Sequence, residues 1–360
     1  MLFTTLSAPF LQLGNRIVMA PMTRSRAEQD NTPNALMAEY YSQRTSAGLI
    51  ITEGTSPSPN GLGYARIPGL FNEAQKRAWK RVTNAVHAKG GKIFVQLMHT
   101  GRVSHAANLP TGAQVMGPTA DGCPGEMHTD SQGMQPHSAP RAMTADDIAH
   151  AVEEYARSAQ LAMEAGFDGV ELHAANGYLI EQFLNANVNS RTDAYGGSIQ
   201  GRNRFALEVV RATIAAIGAN RVGIRLSPYG VFNSTGAYPD VETQYVALAE
   251  ELAELGIRYV HLLDHSAMGA PAVPAEFKLR LRAAFPGIFI LAGGFDRATA
   301  ENALNAGSAD LIAFARPFIA NPDLVERMQT NATLNAVDMA TFYTPGPKGY
   351  TDYPTIGALA

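Results

Sequence analysis

The sequence predicts a (β/α)8 barrel, in which eight parallel strands close on themselves inside a ring of helices. Eight short apolar runs alternate along the chain with longer segments whose apolar residues recur at helical spacing. The runs are continuously apolar, as a parallel sheet buried on both faces requires. A chain of 360 residues is within the length that such barrels reach as one domain. We therefore expect residues 1–360 to form a single barrel domain.

The alternation defines each element. The predicted strands are residues 16–23, 48–55, 92–99, 169–172, 222–228, 259–264, 288–294 and 311–318. The predicted helices are residues 34–46, 73–89, 145–165, 202–217, 241–255, 275–284 and 298–305. Thr144 and Asp147 have the spacing of a capping box, and Gly166 and Gly256 stand where glycine typically ends a helix.

One connection, residues 100–141, is much longer than the others and is rich in Gly, Pro, Met and His. Connections of this length are uncommon in compact domains unless they form lids or binding loops. We expect it to be loop-rich and to lie over the carboxyl-terminal face of the barrel, where such barrels carry their active sites.

Composition excludes several classes of protein. The formal net charge is −4 and no basic block occurs, so nothing indicates binding to nucleic acid or to a membrane surface. A lone cysteine, Cys123, rules out an intrachain disulfide and a cysteine-held zinc ion or iron–sulfur cluster. The N-terminal residues do not resemble a signal peptide, and no apolar run reaches membrane-spanning length. We expect a cytoplasmic protein.

The polar residues after the fourth predicted strand are the strongest candidates for chemistry. His173, Asn176 and Tyr178 follow it within six residues. Ionisable side chains at this end of a barrel strand are typical of catalysis, because the loops of that face converge on one pocket. The alternative is a buried core histidine beside a half-buried tyrosine, and the three residues alone do not separate the two interpretations.

The residues at the ends of the other predicted strands argue against two classes of active site. None of them carries a lysine, which argues against a Schiff-base aldolase. No His-x-His pair or carboxylate set has metal-binding spacing, and His99 with His105 is weak evidence, so we predict no metal site.

A phosphate site is better supported. Gly293 and Gly294 follow the seventh strand, and Ala315 and Arg316 lie at the eighth. Barrels commonly bind phosphate at these two strand ends through backbone N–H groups, and Arg316 adds a permanent cation.

Seven segments carry more extended motifs. They are MAPMTRSRA (19–27), QLMHTGR (96–102), GFDGVELHAANGYLIEQFLNANVNSRTDAYGGS (166–198), GIRLSP (223–228), LAGGFD (291–296), FARPFIANPDL (314–324) and FYTPGPKGYTDYPT (342–355). Together they resemble the old yellow enzyme family of FMN-dependent ene-reductases, in order along almost the whole chain. Thr23, at a position that can also be cysteine, resembles the branch with the yeast enzymes and the enterobacterial N-ethylmaleimide and pentaerythritol tetranitrate reductases.

The resemblance implies an NAD(P)H-dependent flavoenzyme with tightly bound FMN. Its implied reaction is reduction of the activated C=C bond of α,β-unsaturated carbonyl and nitro compounds, with nitrate esters and N-ethylmaleimide as further candidate substrates. The implied partners are these small molecules and NAD(P)H, with no nucleic acid and no membrane, in a monomer or homodimer.

The resemblance also implies the FMN-binding residues. Gln96 and Arg225 would supply an amide and a cation at the flavin edge where negative charge accumulates, and the Thr23 hydroxyl would bond flavin O4. The remaining implied contacts are backbone atoms of Pro21, Met22 and Gly54, the phosphate-binding residues Gly293, Gly294, Ala315 and Arg316, and the aromatic pair Phe342 and Tyr343.

For catalysis, the resemblance implies that His173 and Asn176 donate hydrogen bonds to the substrate's carbonyl or nitro oxygen and polarise the alkene, as an oxyanion hole does. Tyr178 would deliver the proton, and hydride would come from flavin N5. The candidate substrate-pocket residues are Tyr64, Met98, Phe232 and Asn233, each equally consistent with a structural role.

Three positions depart from the usual family residues. Ala315 replaces a glycine, Met98 stands where many relatives have an aromatic residue, and Asn176 is one of two usual choices, the other being histidine. Two alternatives stay open at this point. A dienoyl-CoA reductase-like flavoenzyme would need a cysteine-held cluster and a second domain, and a non-catalytic flavin- or steroid-binding barrel would not need an intact catalytic set.

Overall fold

The computed structural model describes residues 1–9 and 11–358. These residues form fourteen strands: β1 Leu6–Ala8, β2 Leu11–Leu13, β3 Ile17–Met19, β4 Leu49–Thr55, β5 Ile93–Leu97, β6 Met116–Gly117, β7 Glu126–Thr129, β8 Gly133–Pro136, β9 Arg141–Ala142, β10 Gly169–Ala174, β11 Val222–Leu226, β12 Tyr259–Leu263, β13 Ile288–Ala292 and β14 Leu311–Phe314. They also form ten α-helices: α1 Ala35–Ser42, α2 Glu73–His87, α3 Ala145–Glu164, α4 Leu179–Leu184, α5 Ile199–Ile217, α6 Val241–Glu254, α7 Ala275–Ala284, α8 Arg297–Asn305, α9 Arg316–Ala320 and α10 Leu324–Thr330.

Eight of the strands close into the predicted barrel. The order is β3, β4, β5, β10, β11, β12, β13 and β14, and β14 pairs back onto β3. Every neighbouring pair is parallel. Almost every residue of these strands is buried, which explains why each strand is a continuous apolar run in the sequence. The (β/α)8 barrel prediction is confirmed.

The amino-terminal end of the barrel is closed by a hairpin that the sequence analysis did not predict. Strands β1 and β2 pair in antiparallel fashion. Leu6, Leu11 and Leu13 of this hairpin pack in one apolar cluster with the first residues of several barrel strands, including Leu49 and Leu311. The hairpin therefore seals the end of the barrel opposite the loops that carry the polar residues.

The long connection is more ordered than the sequence predicted. Within residues 100–141, β7 and β8 form an antiparallel hairpin, and β6 pairs in parallel with β9. The sequence analysis missed these strands because each has at most four residues, so neither alternation nor a buried run is long enough to detect.

The helix caps agree with the sequence, but several boundaries do not: the first barrel strand ends at Met19 and not at Thr23, and α5 begins at Ile199 and not at Arg202. Thr144 and Asp147 form the predicted capping box at the start of α3. The eighth strand is shorter than predicted, because it ends at Phe314 and Arg316 already begins α9. Pro317 lies in the first turn of α9, where its missing N–H costs no helical hydrogen bond. The short helix α4 after β10 was not predicted either.

Among residues 1–9 and 11–358, every helix is too short or too polar to cross a bilayer.

Candidate active site

A cavity of about 720 Å³ opens at the carboxyl-terminal ends of the barrel strands. Its inner wall includes Thr23, Tyr64 and Tyr178, and the hairpin of β7 and β8 forms another wall. Segment 339–345 completes the lining and contributes Tyr343, which is 60% exposed. The long connection thus reaches the carboxyl-terminal face, as its length suggested.

Strand β10 ends behind the cavity wall. Tyr178 lines the cavity itself, whereas His173, Asn176 and Arg225 lie behind it, outside the lining, and form what we call the floor of the site. His173 lies inside this strand, which continues to Ala174, whereas the sequence analysis ended the strand at residue 172. The His173 ring meets the Tyr178 ring edge-on, with 5.1 Å between centroids. Asn176 lies in the turn between them with φ of 61°, in the left-handed region that asparagine tolerates better than most residues. One short turn therefore brings the three predicted catalytic residues together.

The His173 imidazole is held neutral. Burial, followed by the positive charge of Arg225 and the proximity of His261 and His265, keeps its pKa well below the usual value. Arg225 is the register partner of His173 on the neighbouring strand β11. A neutral imidazole has one N–H donor, so His173 can hydrogen-bond a substrate oxygen without carrying a charge into the floor of the site.

Tyr178 retains its proton at physiological pH. Its hydroxyl donates to the Tyr64 hydroxyl at 3.1 Å, and the two rings meet edge-on. Burial raises the pKa of Tyr178 to about 12, and the hydrogen bond with Tyr64 opposes this rise. Tyr178 is therefore a protonated acid that faces the cavity.

A buried polar network inside the barrel supports Gln96 and was not predicted from the sequence. The Gln96 Nε2 donates to Glu171 Oε1 at 2.8 Å, and His261 Nδ1 lies 2.8 Å from Glu171 Oε2. Tyr259 also donates to this carboxylate. Burial alone would raise the pKa of Glu171, but His261 and Arg225 lower it, so the carboxylate is charged. The Glu171 carboxylate thus orients the Gln96 amide and lies close to the Arg225 charge.

Segment 20–24 and strand β4 place the remaining flavin-edge candidates. Pro21 is buried, and Met22 and Thr23 are half-buried just beyond β3. Gly54 of β4 is the register partner of Gln96. A side chain at Gly54 would overlap the Met98 sulfur, so glycine is required for the close packing of this strand end.

The predicted phosphate-binding residues lie side by side on the rim, after the neighbouring strands β13 and β14. Gly293 and Gly294 follow β13 with φ of 128° and 68°. A Cβ at Gly293 would overlap the Asp264 carbonyl oxygen, and one at Gly294 would lie 2.8 Å from Ala267. Ala315 precedes α9, and Arg316 starts it with an exposed guanidinium. The Arg316 guanidinium contacts the Met268 sulfur at 3.6 Å, and this cation and the glycine-lined rim fit a phosphate group.

Hydrogen bonds to the backbone fix the C-terminal segment that carries the aromatic pair Phe342 and Tyr343. The Phe342 carbonyl accepts from Arg24 Nε at 3.1 Å and from Arg26 at 2.6 Å. The Phe342 and Tyr343 rings lie 6.1 Å apart and nearly perpendicular. Tyr350 stacks on Tyr40 and anchors the same segment to α1. These contacts place Tyr343 in the cavity wall.

Of the four candidate pocket residues, one lines the cavity and three do not. Tyr64 lines the cavity, whereas Met98 is buried behind it in a cluster with Leu62 and Ile67. Phe232 is 42% exposed and packs edge-on against His265, outside the cavity lining. The Asn233 side chain donates to the Asn176 carbonyl oxygen at 2.7 Å, so it supports the turn.

Several buried polar atoms around the floor are ready to bind a ligand. Within the described ranges, Arg225 Nε, His173 Nδ1 and Asn176 Oδ1 are buried without a hydrogen-bond partner. Buried polar groups are almost always paired in proteins, so three such atoms around one floor indicate a polar ligand. Together with the phosphate-type rim, the residues present fit FMN.

Comparison with known proteins agrees with this geometry. Residues 1–335 match the sequence profile of the NADH:flavin oxidoreductase / NADH oxidase family. The chain is 42% identical over 378 residues to 12-oxophytodienoate reductase 7 of Oryza sativa subsp. japonica, covering 99% of this chain and 95% of the relative. It is 45% identical over 365 residues to chanoclavine-I aldehyde reductase fgaOx3 of Penicillium roqueforti, covering 98% and 95%.

Solved structures agree with the sequence relatives. Morphinone reductase superposes with a TM-score of 0.95 at 45% identity, covering 99% of this chain and 96% of that one. The old yellow enzyme homologue from Zymomonas mobilis superposes with a TM-score of 0.94 at 40% identity, covering 98% and 99%. The chain therefore belongs to the NADH:flavin oxidoreductase / NADH oxidase family and is an FMN-dependent oxidoreductase of the old yellow enzyme type.

Proposed function

We propose that residues 1–360 act as one FMN-binding barrel domain that reduces the activated C=C bond of α,β-unsaturated carbonyl and nitro compounds with NAD(P)H. FMN, held by the flavin-edge and phosphate-binding residues described above, would supply the hydride-transfer chemistry between the nicotinamide and the alkene. The observation that carries the proposal is the end of β10 with the turn after it, which together present His173, Asn176 and the protonated Tyr178.

His173 and Asn176 polarise the substrate in this proposal. Each supplies an N–H donor, and hydrogen bonds to a carbonyl or nitro oxygen become stronger as negative charge develops there. Because burial and Arg225 keep the imidazole neutral, His173 stays a hydrogen-bond donor and does not protonate the oxygen.

Tyr178 supplies the proton to the α-carbon. The Tyr64 hydroxyl, 3.1 Å away, stabilises the resulting phenolate, since a hydrogen bond to the charged form lowers a pKa. The nicotinamide and the alkene would use the same cavity in turn. A steady-state panel of enones, nitroalkenes and nitrate esters with NADH and with NADPH tests the proposed activity, and the absence of turnover with every alkene would refute it.

The released cofactor gives a direct check on the binding assignment. We expect denaturation of the purified yellow protein to release FMN. Gly293, Gly294, Ala315 and Arg316 supply one phosphate-type rim, which matches the single phosphate of FMN. Chromatography of the supernatant identifies the flavin, and recovery of FAD instead would contradict the assignment.

The glycine rim should be intolerant of a side chain. We expect Gly293→Ala to lose most of its FMN, because the new Cβ would overlap the Asp264 carbonyl oxygen at a backbone φ of 128° that alanine rarely adopts. Gly122→Ala is the matched control, since a Cβ there has no heavy atom within 4 Å among the described residues. Flavin absorbance per protein chain measures the effect, and equal FMN content in both variants would contradict the prediction.

A further inference from the structure

The turn that carries Asn176 and Tyr178 is stabilised by side chains from three other parts of the chain. Asn176 and Gly177 both have positive φ, 61° and 74°. Two consecutive left-handed residues are costly unless their surroundings enforce them. The Asn176 carbonyl accepts from Asn233 at 2.7 Å, and the Gly177 carbonyl accepts from Gln182 at 2.7 Å. The carbonyl oxygens of the turn are thus paired.

The two N–H groups of the same turn depend on one carboxyl group, that of Glu181 in α4. The Gly177 N–H donates directly to Glu181 Oε2. The Asn176 N–H donates to Ser227 Oγ at 2.9 Å, and that hydroxyl donates to Glu181 Oε1 at 3.0 Å. Glu181 is 1% exposed, so water does not replace these bonds. Removing its carboxyl group would leave both N–H groups without a fixed acceptor.

The surroundings of Glu181 are neutral. The groups that face it are the Gly177 N–H, the Ser227 hydroxyl, the hydroxyl of Tyr245 in α6 at 3.4 Å, and Tyr238, which precedes α6. No lysine or arginine pairs with it within residues 1–9 and 11–358. Burial accordingly raises the pKa of Glu181 to about 8, against the lowering effect of the bonds from Gly177, Ser227 and Tyr245.

We propose that Glu181 is a positioning residue for alkene reduction, which holds Asn176 and Tyr178 in place through Gly177 and Ser227. Because Glu181 is buried without a cationic partner among the described residues, a negative charge on it would oppose oxyanion binding at the turn. This inference rests on the proposed function, because it concerns the same oxyanion site. Glu181 itself does not touch the cavity, so it acts through the turn.

Ionisation of Glu181 should weaken the site. The negative charge that develops on a substrate oxygen, or resides on a bound phenolate, is repelled by a carboxylate buried behind the same turn. The sign follows from the raised pKa: the carboxyl is neutral below about 8 and charged above it. Other ionisable groups at the floor titrate elsewhere, since the pKa of Tyr178 is about 12 and burial lowers that of His265 to about 4.

Binding of pentafluorophenol to the FMN-loaded enzyme tests the proposal, because this phenol is acidic enough to stay ionised throughout the titration. We expect the parent to bind it several-fold more weakly above pH 8 than below it. Glu181→Gln should bind the phenol as tightly as the parent does below that pH, and its affinity should not fall when the pH is raised above 8. Glu181→Leu should bind about tenfold more weakly at every pH, because the Gly177 N–H loses its acceptor.

Ser227→Ala provides a second route if Glu181→Leu does not fold. It removes the link between Glu181 and the Asn176 N–H, and we expect several-fold weaker phenolate binding and a similar loss in the rate of alkene reduction. Unchanged affinity in both Ser227→Ala and Glu181→Leu would overturn the positioning role. If the affinity for the phenolate still falls above pH 8 in Glu181→Gln, Glu181 is not the group whose ionisation weakens binding. Parent enzyme that fails to reduce any alkene would instead refute the proposed function.

The pH dependence of the melting temperature tests the ionisation of Glu181 without a ligand. Because the folded state holds the Glu181 proton up to about pH 8 and the unfolded state releases it near 4.5, the parent should lose stability relative to Glu181→Gln across that window. The melting temperature of Glu181→Gln should therefore exceed that of the parent by a margin that widens as pH rises through the window. A pH-independent margin would contradict the buried, proton-holding carboxyl.

Discussion

Replacing Tyr178 with phenylalanine is expected to slow alkene reduction by about 10²–10⁴-fold, the usual cost of removing a positioned general acid. Burial keeps Tyr178 protonated, and its ring packs against His173 and Tyr64. Tyr178→Phe retains that ring and loses only the hydrogen bond to Tyr64, so the stability cost should be about 1 kcal/mol. The half-reaction with NAD(P)H uses no proton from Tyr178 and should change only a few-fold.

Stopped-flow measurement of each half-reaction separates these effects. The loss should be largest for simple cyclic enones, whose α-carbanion is poorly stabilised, and smaller for nitroalkenes, where solvent can protonate a longer-lived anion. Tyr195→Phe is a suitable control, because that hydroxyl bonds Glu208 away from the cavity. If Tyr178→Phe reduces cyclohexenone as fast as the parent, Tyr178 is not the acid and the proposed mechanism is wrong.

The double variant His173→Ala with Asn176→Ala should lose about a hundredfold or more in affinity for phenolates. We expect the oxygen of a phenol such as 4-hydroxybenzaldehyde to lie between these two donors, which favour the ionised form and lower the phenol's pKa on binding. His173 Nδ1 has no partner among the described residues, so its ring is available to a ligand, and Asn176 would donate through its amide Nδ2. Each hydrogen bond to a charged group contributes about 1.5–3 kcal/mol.

Titration of the long-wavelength charge-transfer absorbance measures this affinity in the parent, both single variants and the double variant. If the losses of binding free energy in the two single variants do not add up to the loss in the double variant, both donors bind the same oxygen. FMN content and melting temperature control for loss of the fold. A dissociation constant that is unchanged in the double variant would contradict the assignment of the oxyanion site.

Much of the fold could be predicted because its elements have local sequence patterns. The buried strands β10 and β11 are continuous apolar runs, and the start of α3 follows from the spacing of Thr144 and Asp147. The boundary at β14 was wrong because an apolar run continues through Phe318, although Pro317 and Arg316 already belong to a helix. Short strands such as β6 and β9 have too few residues to produce a pattern.

By itself, the sequence determined the barrel, the family motifs, and the presence of His173, Asn176 and Tyr178 after one strand, because these depend on residues that are close in the chain. Only the tertiary structure decided what surrounds them. The hydrogen-bonded pairs are far apart in the chain: Gln96 and Glu171 are separated by 75 positions, Tyr178 and Tyr64 by 114, and Ser227 and Glu181 by 46. Such contacts have no local periodicity, since barrel closure alone brings distant strand ends to one rim. The same closure buries Met98 behind the cavity and places Glu181 beneath the catalytic turn.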